Sequence, residues 1–214
     1  MSSLTVIPTV DVEGTHGSSP FQQLVLGEIG TPSTWGVYRL ASIFNDYGVA
    51  GTFFVDVYES TLWGPEVWRT LCIRLVDQGQ DVQLHTHPAW RDDPRDSTWL
   101  RELKRTQSFL SQDRDFMAKL TLQEQIDVLA YGVDLLASWL GSRPIAHRSG
   151  GYSVNQTTLA ALLQTGFKVD SSQNRAHRNS KLRRTRNVAF LLRRFLEVPL
   201  TVYDRCLLAS CPPI

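Results

Sequence analysis

Apolar residues recur along the chain in two alternating patterns, short β-branched runs and longer segments with helical spacing. The runs are typical of buried strands, and they lie at positions 4–12, 51–57, 81–87, 145–147, 167–170 and 197–203. The helical spacing falls between them, at positions 37–47, 65–78, 99–110, 122–140 and 156–165. The chain is therefore predicted to alternate strand and helix along most of its length.

The ends of the helical segments carry start and stop signals. The start signals are Thr34, Pro65, the capping box from Thr121 to Glu124, and Asn155. Glycine follows four segments, and the next strand begins within about four residues, as in α/β units; these are Gly48, Gly79, Gly141 and Gly166. Such repeated units predict an α/β fold, most simply a barrel of parallel strands with the helices outside.

The helical spacing also predicts which side chains face the core. The apolar face of the first helix includes Leu40 and Tyr47, and that of the second includes Val67 and Val76. All four side chains are therefore expected to be inward.

Composition bounds the class of protein. With 214 residues, 42% of them hydrophobic and 20% charged, the chain resembles an average soluble globular protein. A single domain over residues 1–214 is expected, since this length can bury one sizeable core. The formal net charge of +1 gives no overall electrostatic case for a nucleic acid or a membrane surface as partner. No segment is apolar over the length that a membrane-spanning helix needs.

The cysteines and the N-terminus indicate a compartment. Cys72, Cys206 and Cys211 are odd in number and lack CxxC spacing, so neither a disulfide framework nor a thiolate zinc site is predicted. The N-terminus has no basic region, and Pro8 and Asp11 interrupt its apolar run, unlike a signal peptide. A reducing, cytoplasmic location is expected.

Two histidines end the third predicted strand, in the sequence Asp-Val-Gln-Leu-His-Thr-His-Pro. Alternate residues of a strand share one face and lie ~6.6 Å apart, so the imidazoles of His85 and His87 can converge on one ion. Pro88 stops the hydrogen-bond ladder and puts the pair where the strand becomes a loop. Two polar residues with ordinary hydrogen bonds at a strand end are the alternative.

Acidic residues and an arginine end other predicted strands. Asp11 and Glu13 follow the first strand with the same alternating spacing, Arg148 follows the fourth, and Asp170 ends the fifth. Because the carboxyl ends of parallel strands meet at one edge, these side chains are expected on the same face as the histidines. Two histidines with one carboxylate form a catalytic type of zinc site, and a second carboxylate could be a general base oriented by Arg148. Asp170 could in turn fix Arg148; the structural alternative is a plain ion pair that closes the barrel rim, and it is compatible with the catalytic role.

A basic segment occupies residues 175–194. It contains eight arginine and lysine residues and no acid. Such a run could bind a phosphate or an anionic sugar, but a solvated basic loop is the commoner explanation.

Six motifs occur in a recognisable order over roughly residues 4–203. They are Thr-Val-Asp11-Val-Glu13-Gly, Gly51-Thr-Phe-Phe-Val, His85-Thr-His87-Pro, Arg148-Ser-Gly-Gly-Tyr152, Asp170-Ser-Ser and Glu197-Val-Pro. Together they resemble the polysaccharide deacetylases of carbohydrate esterase family 4, which share the NodB-homology domain. The resemblance implies a distorted (β/α)7 barrel that holds a divalent metal, commonly zinc, and removes N- or O-acetyl groups from sugars.

The resemblance also implies roles for individual residues. Asp11 is similar to the catalytic base of the family and Glu13 to its metal-binding carboxylate. His85 and His87 are similar to its two metal-binding histidines. Each role is inferred from the position that the residue occupies in a motif shared with the family.

The later motifs supply the remaining roles. Arg148 is similar to the arginine that positions the base, and Asp170 to the acid that pairs with that arginine. Tyr152 is similar to the residue whose backbone N–H helps to stabilise the oxyanion. The residues expected to bind substrate are Trp90, Gly150 and Gly151.

The chain departs from the family pattern in three places. The common Asp-Asp pair is replaced by Asp-Val-Glu, which leaves the division of roles between the two acids open. The histidines are spaced as His-x-His, as in a branch associated with O-antigen gene clusters, instead of being separated by three residues. A closing Leu-x-His is missing after Tyr203, so the barrel is expected to be incomplete at its C-terminus and no general acid is assigned. The remaining histidines that could replace it are His16, His147 and His177.

The sequence thus predicts a metal-dependent hydrolase that removes an acetyl group from an N-acetylated sugar or polysaccharide precursor. A hydrolase of a non-sugar amide or cyclic imide is the main alternative, because fold and metal do not fix the substrate. A non-catalytic, sugar-binding relative without the acid is the third possibility.

Overall fold

The computed structural model describes residues 7–14, 25–27, 35–88, 116–174 and 196–197. Residues 196 and 197 are described through their backbone alone. The strands are β1 (Thr9–Val12), β2 (Thr52–Asp56), β3 (Asp81–Thr86), β4 (Ala146–Ser149), β5 (Val169–Asp170) and β6 (Leu196–Glu197). The helices are α1 (Gly36–Asp46), α2 (Ser60–Trp63), α3 (Pro65–Asp77), α4 (Leu122–Leu140) and α5 (Gln156–Gln164). The helix predicted at 99–110, the basic segment 175–194 and Trp90 lie outside the described residues.

All six strands belong to one parallel sheet, in the order β1-β2-β3-β4-β5-β6. Each strand therefore pairs with the next one along the chain, which is the strand order of a (β/α) barrel. The predicted α/β class with a parallel sheet is confirmed. Since all strands run in one direction, their carboxyl ends lie at a single edge.

Most of the predicted helix signals are present in the structure. Pro65 occupies the start of α3, where its missing N–H costs no hydrogen bond. At the start of α4, Thr121 Oγ1 accepts from the N–H of Glu124 at 3.3 Å, and Glu124 Oε2 accepts from the N–H of Thr121 at 2.8 Å. Asn155 caps α5 through Thr158. The N-cap of α1 is Trp35, without a side-chain cap bond, instead of the predicted Thr34.

The main core lies between the helices and one face of the sheet. Its largest fully buried side chains come from β2, β3, α3, α4 and α5 and from the turn after β2; they include Phe53, Leu84, Trp68, Leu71, Leu129, Leu162 and Tyr58. This burial fixes which face of each strand is turned to the helices. The other face is left for the polar residues of the site.

Four side chains predicted to face the core are exposed. Tyr47 is 81% exposed, Val76 44%, Leu40 38% and Val67 36%. Helical spacing gives the direction of an apolar stripe, but its covered width depends on the neighbouring elements. The predicted inward position of these four residues is therefore wrong.

Two features after β2 have no counterpart in the sequence prediction. A 3-10 turn at Val57–Glu59 follows the strand, and the short helix α2 follows the turn. Among the described helices, none is both long and apolar enough to cross a membrane.

Candidate metal centre

Strand register places the polar candidates on one face of the sheet. His85 of β3 is the cross-strand partner of Asp56 on one side and of Arg148 on the other. Asp11 is the partner of Phe54 in β2, two residues before Asp56. Because alternate residues of a strand share a face, all five residues belong to the face turned away from the helices.

Glu13, His85 and His87 meet at the carboxyl edge of β1 and β3. The Nε2 atom of His85 lies 2.9 Å from Oε2 of Glu13, and the Nε2 atom of His87 lies 2.5 Å from the same oxygen. The three potential ligand atoms are all within 4.8 Å of one another. The side chains of His85 and His87 are 2% and 7% exposed, while that of Glu13 is 38% exposed and reaches the surface.

This donor set fits a divalent metal ion. Two imidazole nitrogens and one carboxylate oxygen are the ligand types of catalytic zinc sites, which leave further coordination positions open. Both histidines direct the same ring nitrogen to the same oxygen, so a small displacement of Glu13 would leave three donors around one point. The residues present are therefore suited to the ion that the sequence predicts.

The electrostatic surroundings of Glu13 favour its ionised form. Burial alone would raise the pKa of this carboxyl group, but hydrogen bonds and charge interactions with His85 and His87 lower the pKa of Glu13 well below its usual range. An ionised carboxylate is the form that binds a metal.

Arg148 and Asp11 form an ion pair beside this cluster. The Nη1 atom of Arg148 donates to Asp11 Oδ1 at 2.7 Å, and the guanidinium carbon lies 4.3 Å from the centre of the Phe54 ring. Its Nη2 atom donates to Thr9 Oγ1 at 2.9 Å and to Ser171 Oγ at 2.8 Å. The guanidinium is thus fixed from three sides, and it orients the Asp11 carboxylate.

Asp170 does not pair with Arg148 as predicted. Its Oδ1 atom lies 2.9 Å from Nδ1 of His147 and accepts from Ser172 Oγ at 2.6 Å. The cross-strand partner of Asp170 is His147, whereas Arg148 is the partner of His85, so the two residues lie on opposite faces of the sheet. The next residue, Ser171, has the parity that reaches Arg148, and it makes the contact expected of Asp170.

His147 occupies the helix-facing side of β4 and is fully buried. Its Nδ1 atom contacts Asp170, and its Nε2 atom lies 3.0 Å from Oγ1 of Thr86. Desolvation lowers the pKa of His147 despite the neighbouring Asp170 carboxylate. With both ring nitrogens engaged away from the site, His147 is not a source of the missing general acid, and His16 and His177 lie outside the described residues.

The predicted substrate-binding glycines form the turn after β4. A Cβ atom added to Gly150 would lie 2.5 Å from ring atoms of His87, so this glycine allows the His87 ring to pack against the turn. Gly151 and Tyr152 both have a φ angle of 54°. Among the non-glycine residues that the structure describes, only Tyr152 has a positive φ angle. Burial, followed by the negative charge of Asp11, raises the pKa of the Tyr152 phenol.

Three residues of the site had no role in the sequence prediction. Thr9 and Ser171 bind Arg148, and Glu59 accepts a hydrogen bond from the N–H of Gly14 at 2.6 Å. Strand alternation could have found Thr9 and Ser171, since each lies at the right parity on its strand. Glu59 lies in an unpredicted turn, and no sequence signal indicates its contact.

The fold and this edge cluster define an α/β protein with a candidate two-histidine, one-carboxylate centre at the carboxyl ends of parallel strands. No family model matches the chain, and no curated protein does. Solved structures are similar to it. One is a protein from Mycobacterium smegmatis assigned as a polysaccharide deacetylase, with 20% identity and a TM-score of 0.52 over 91% of this chain and 58% of that one.

A second similar structure is that of Puue allantoinase. It shares 14% identity at a TM-score of 0.50, over 92% of this chain and 61% of the allantoinase chain. At these identities the comparisons establish a common fold. The chain spans about three fifths of the length of both structures.

Proposed function

We propose that this protein is a metal-dependent hydrolase that removes an acetyl group from an N-acetylated sugar. The observation that carries the proposal is the convergence of Glu13, His85 and His87 on one point beside the Asp11–Arg148 pair. A metal-binding triad next to an oriented carboxylate supplies the two groups that amide hydrolysis by water requires.

Glu13, His85 and His87 would hold the ion, with zinc as the first candidate. When bound, such an ion activates water and polarises the carbonyl group of the substrate. Asp11 acts as the general base and takes the proton of the attacking water. Since Oδ1 is engaged by Arg148, the proton is expected on Oδ2.

The turn after β4 would complete the site on the side of the acetyl group. We expect the backbone N–H of Tyr152 to donate to the developing oxyanion, which is a preorganised form of stabilisation. The positive φ angle of Tyr152 supports this assignment, because strain at a non-glycine residue persists where the surrounding structure imposes it. Trp90, Gly150 and Gly151 are proposed to contact the sugar.

The resemblance of the motifs and the fold shared with the Mycobacterium smegmatis protein both favour an acetylated carbohydrate as the substrate. The His-x-His spacing favours the branch associated with O-antigen clusters. The fold shared with an allantoinase supports a second candidate, hydrolysis of a non-sugar amide or cyclic imide by the same groups.

Acetate release from a panel of N-acetylated sugars, measured with the zinc-loaded protein, tests the proposal. We expect turnover of at least one sugar, and a loss of at least ~10²-fold in rate for Asp11→Asn with zinc retained. Turnover of a cyclic imide without acetate release would favour the second candidate. Zinc binding without either reaction would favour a non-catalytic, sugar-binding relative.

The two acids can be separated in the same experiment. Glu13→Gln is expected to weaken zinc binding, whereas Asp11→Asn should affect the rate alone. Exchanged phenotypes would show that the Asp-Val-Glu sequence has reversed the roles of the two acids.

A further inference from the structure

Glu59 is a buried carboxylate that the proposed reaction does not use. It is the last residue of the 3-10 turn that follows β2, and it is 1% exposed. Asp56 stabilises this turn, because its Oδ1 atom accepts from the N–H of Tyr58 at 3.2 Å. Burying a carboxylic acid side chain is costly unless hydrogen bonds compensate for its lost hydration, so the contacts of Glu59 are informative.

One partner of Glu59 is the backbone beside a predicted metal ligand. Glu59 Oε1 accepts from the N–H of Gly14 at 2.6 Å, between residues 45 positions apart in sequence. Glu59 therefore ties the chain directly after Glu13 to the end of β2.

The space at this contact is fitted to glycine. A Cβ atom added to Gly14 would lie 2.7 Å from Glu59 Oε2 and 3.3 Å from Oε1. Any larger residue at this position would push the carboxylate away from the N–H that it accepts. An alanine at position 14 would therefore fit only if the Glu59 side chain shifted.

We propose that Glu59 is a positioning residue of the metal centre, which fixes the backbone of Glu13 through the N–H of Gly14. This inference rests on the metal site of the proposed function. The ladder of β1 ends at Val12, so Glu13 is already beyond the strand that would otherwise hold it. The bond from Gly14 to Glu59 anchors the other side of Glu13 and directs its carboxylate to the two histidines.

Replacing a residue that orients a metal ligand typically lowers metal affinity by roughly 10- to 100-fold. We therefore expect Glu59→Ala to weaken zinc affinity by about that factor. Glu59→Gln retains an oxygen acceptor of the same reach and should bind zinc more tightly than Glu59→Ala does. Glu59→Met fills a similar volume without an oxygen acceptor, so rescue by Glu59→Gln and not by Glu59→Met separates the hydrogen bond from a space-filling role.

A matched contact at the opposite edge of the sheet provides the control. Gln80 Oε1 accepts from the N–H of Gly51 at 2.8 Å, just before β3 and β2 begin. Gln80→Ala also removes a buried side-chain acceptor from a glycine N–H, but far along the strands from the histidines. It should lower the free energy of unfolding and leave zinc affinity unchanged.

Gly14→Ala tests the same bond from its other partner. It should weaken zinc affinity, and the double variant with Glu59→Ala should be no weaker than the worse single variant, because both remove one interaction. This comparison keeps the inference testable if one variant folds poorly.

The experiment measures zinc affinity by competition with a chelator, and the free energy of unfolding of the metal-free proteins in urea, for the wild type and each of these variants. Weakened zinc binding by Glu59→Ala and Gly14→Ala, with normal binding by Gln80→Ala, supports the inference. Equal affinity of Glu59→Ala and the wild type, or an equal loss in Gln80→Ala, overturns it while the proposed function stands. Absence of zinc binding by the wild type overturns both.

Discussion

Arg148 and Asp11, which are 137 positions apart in the sequence, meet through a hydrogen bond of 2.7 Å from Nη1 to Oδ1. The bond joins β4 to β1 across the polar face of the sheet. The proposed base is therefore oriented by a guanidinium that also donates hydrogen bonds to Thr9 and Ser171.

Arg148→Lys should lower kcat/KM for an acetylated sugar by ~10²-fold, the usual scale for a misplaced reacting group. Lysine keeps the charge, but its single ammonium cannot reproduce the planar fork that reaches Asp11, Thr9 and Ser171. Arg69→Lys is the matched control, since Arg69 pairs with Glu66 at 3.4 Å on the exposed surface. Unchanged kinetics in both variants would exclude a role for Arg148 in orienting the base.

His85→Ala and His87→Ala should each abolish stoichiometric zinc binding while the far-UV circular dichroism spectrum remains that of a folded protein. The two rings lie at the strand ends on the polar face, outside the main apolar core. His147→Gln is the control. This variant should retain zinc, because His147 is on the helix-facing side of β4. Full zinc content in either alanine variant would disprove the site.

Gly150→Ala should weaken zinc binding, because the added Cβ would lie 2.5 Å from the His87 ring and must displace it. Gly51→Ala provides equal crowding elsewhere, since its Cβ would meet the Phe44 ring at 2.5 Å near the opposite edge of the sheet. Zinc titration of both variants should show a loss in Gly150→Ala alone. A similar loss in Gly51→Ala would instead indicate a general effect of crowding.

His147 should make stability depend on pH. Burial lowers the pKa of His147 in the folded chain. The unfolded chain therefore binds a proton more readily than the folded chain once the pH falls below ~6.5, the ordinary pKa of histidine. The stability contributed by the neutral ring is complete above that pH and decreases as the pH falls toward the folded pKa.

Urea unfolding of the metal-free protein at several pH values measures this contribution. The wild type minus His147→Gln should show a stability difference that declines with acid, by at most ~1.4 kcal/mol per pH unit for one proton. A difference that is independent of pH between 7 and about 5 would contradict the assignment to His147.

Much of the fold could be predicted because local signals and tertiary packing agree. The Thr121–Glu124 box and the Asn155 cap begin helices where expected, and the parallel sheet follows from the repeated strand–helix order. The exposed positions of Tyr47 and Val76 could not be predicted, because no element among the described residues covers that part of each apolar stripe.

The site was predictable to the extent that it lies on strands of known parity. His85, Glu13, Asp11 and Arg148 are brought together as the strand-end positions suggest. The predicted pairing of Asp170 with Arg148 was wrong, because a motif gives the order of residues but not the face of the sheet that each one occupies. Glu59 was missed since its contact depends on a turn that only the packed structure defines.

The adjacent residues His147 and Arg148 serve opposite faces of the same strand. Inserting or deleting one residue within β4 would exchange them, which would turn a guanidinium toward the apolar helix-facing core and an imidazole toward Asp11. The side-chain hydrogen bonds that Thr86, Asp170, Thr9 and Ser171 make with His147 and Arg148 would be lost at once. Polar interactions on both faces thus penalise register slippage, and we expect related chains to vary in length in the loops around β4 but not within the strand.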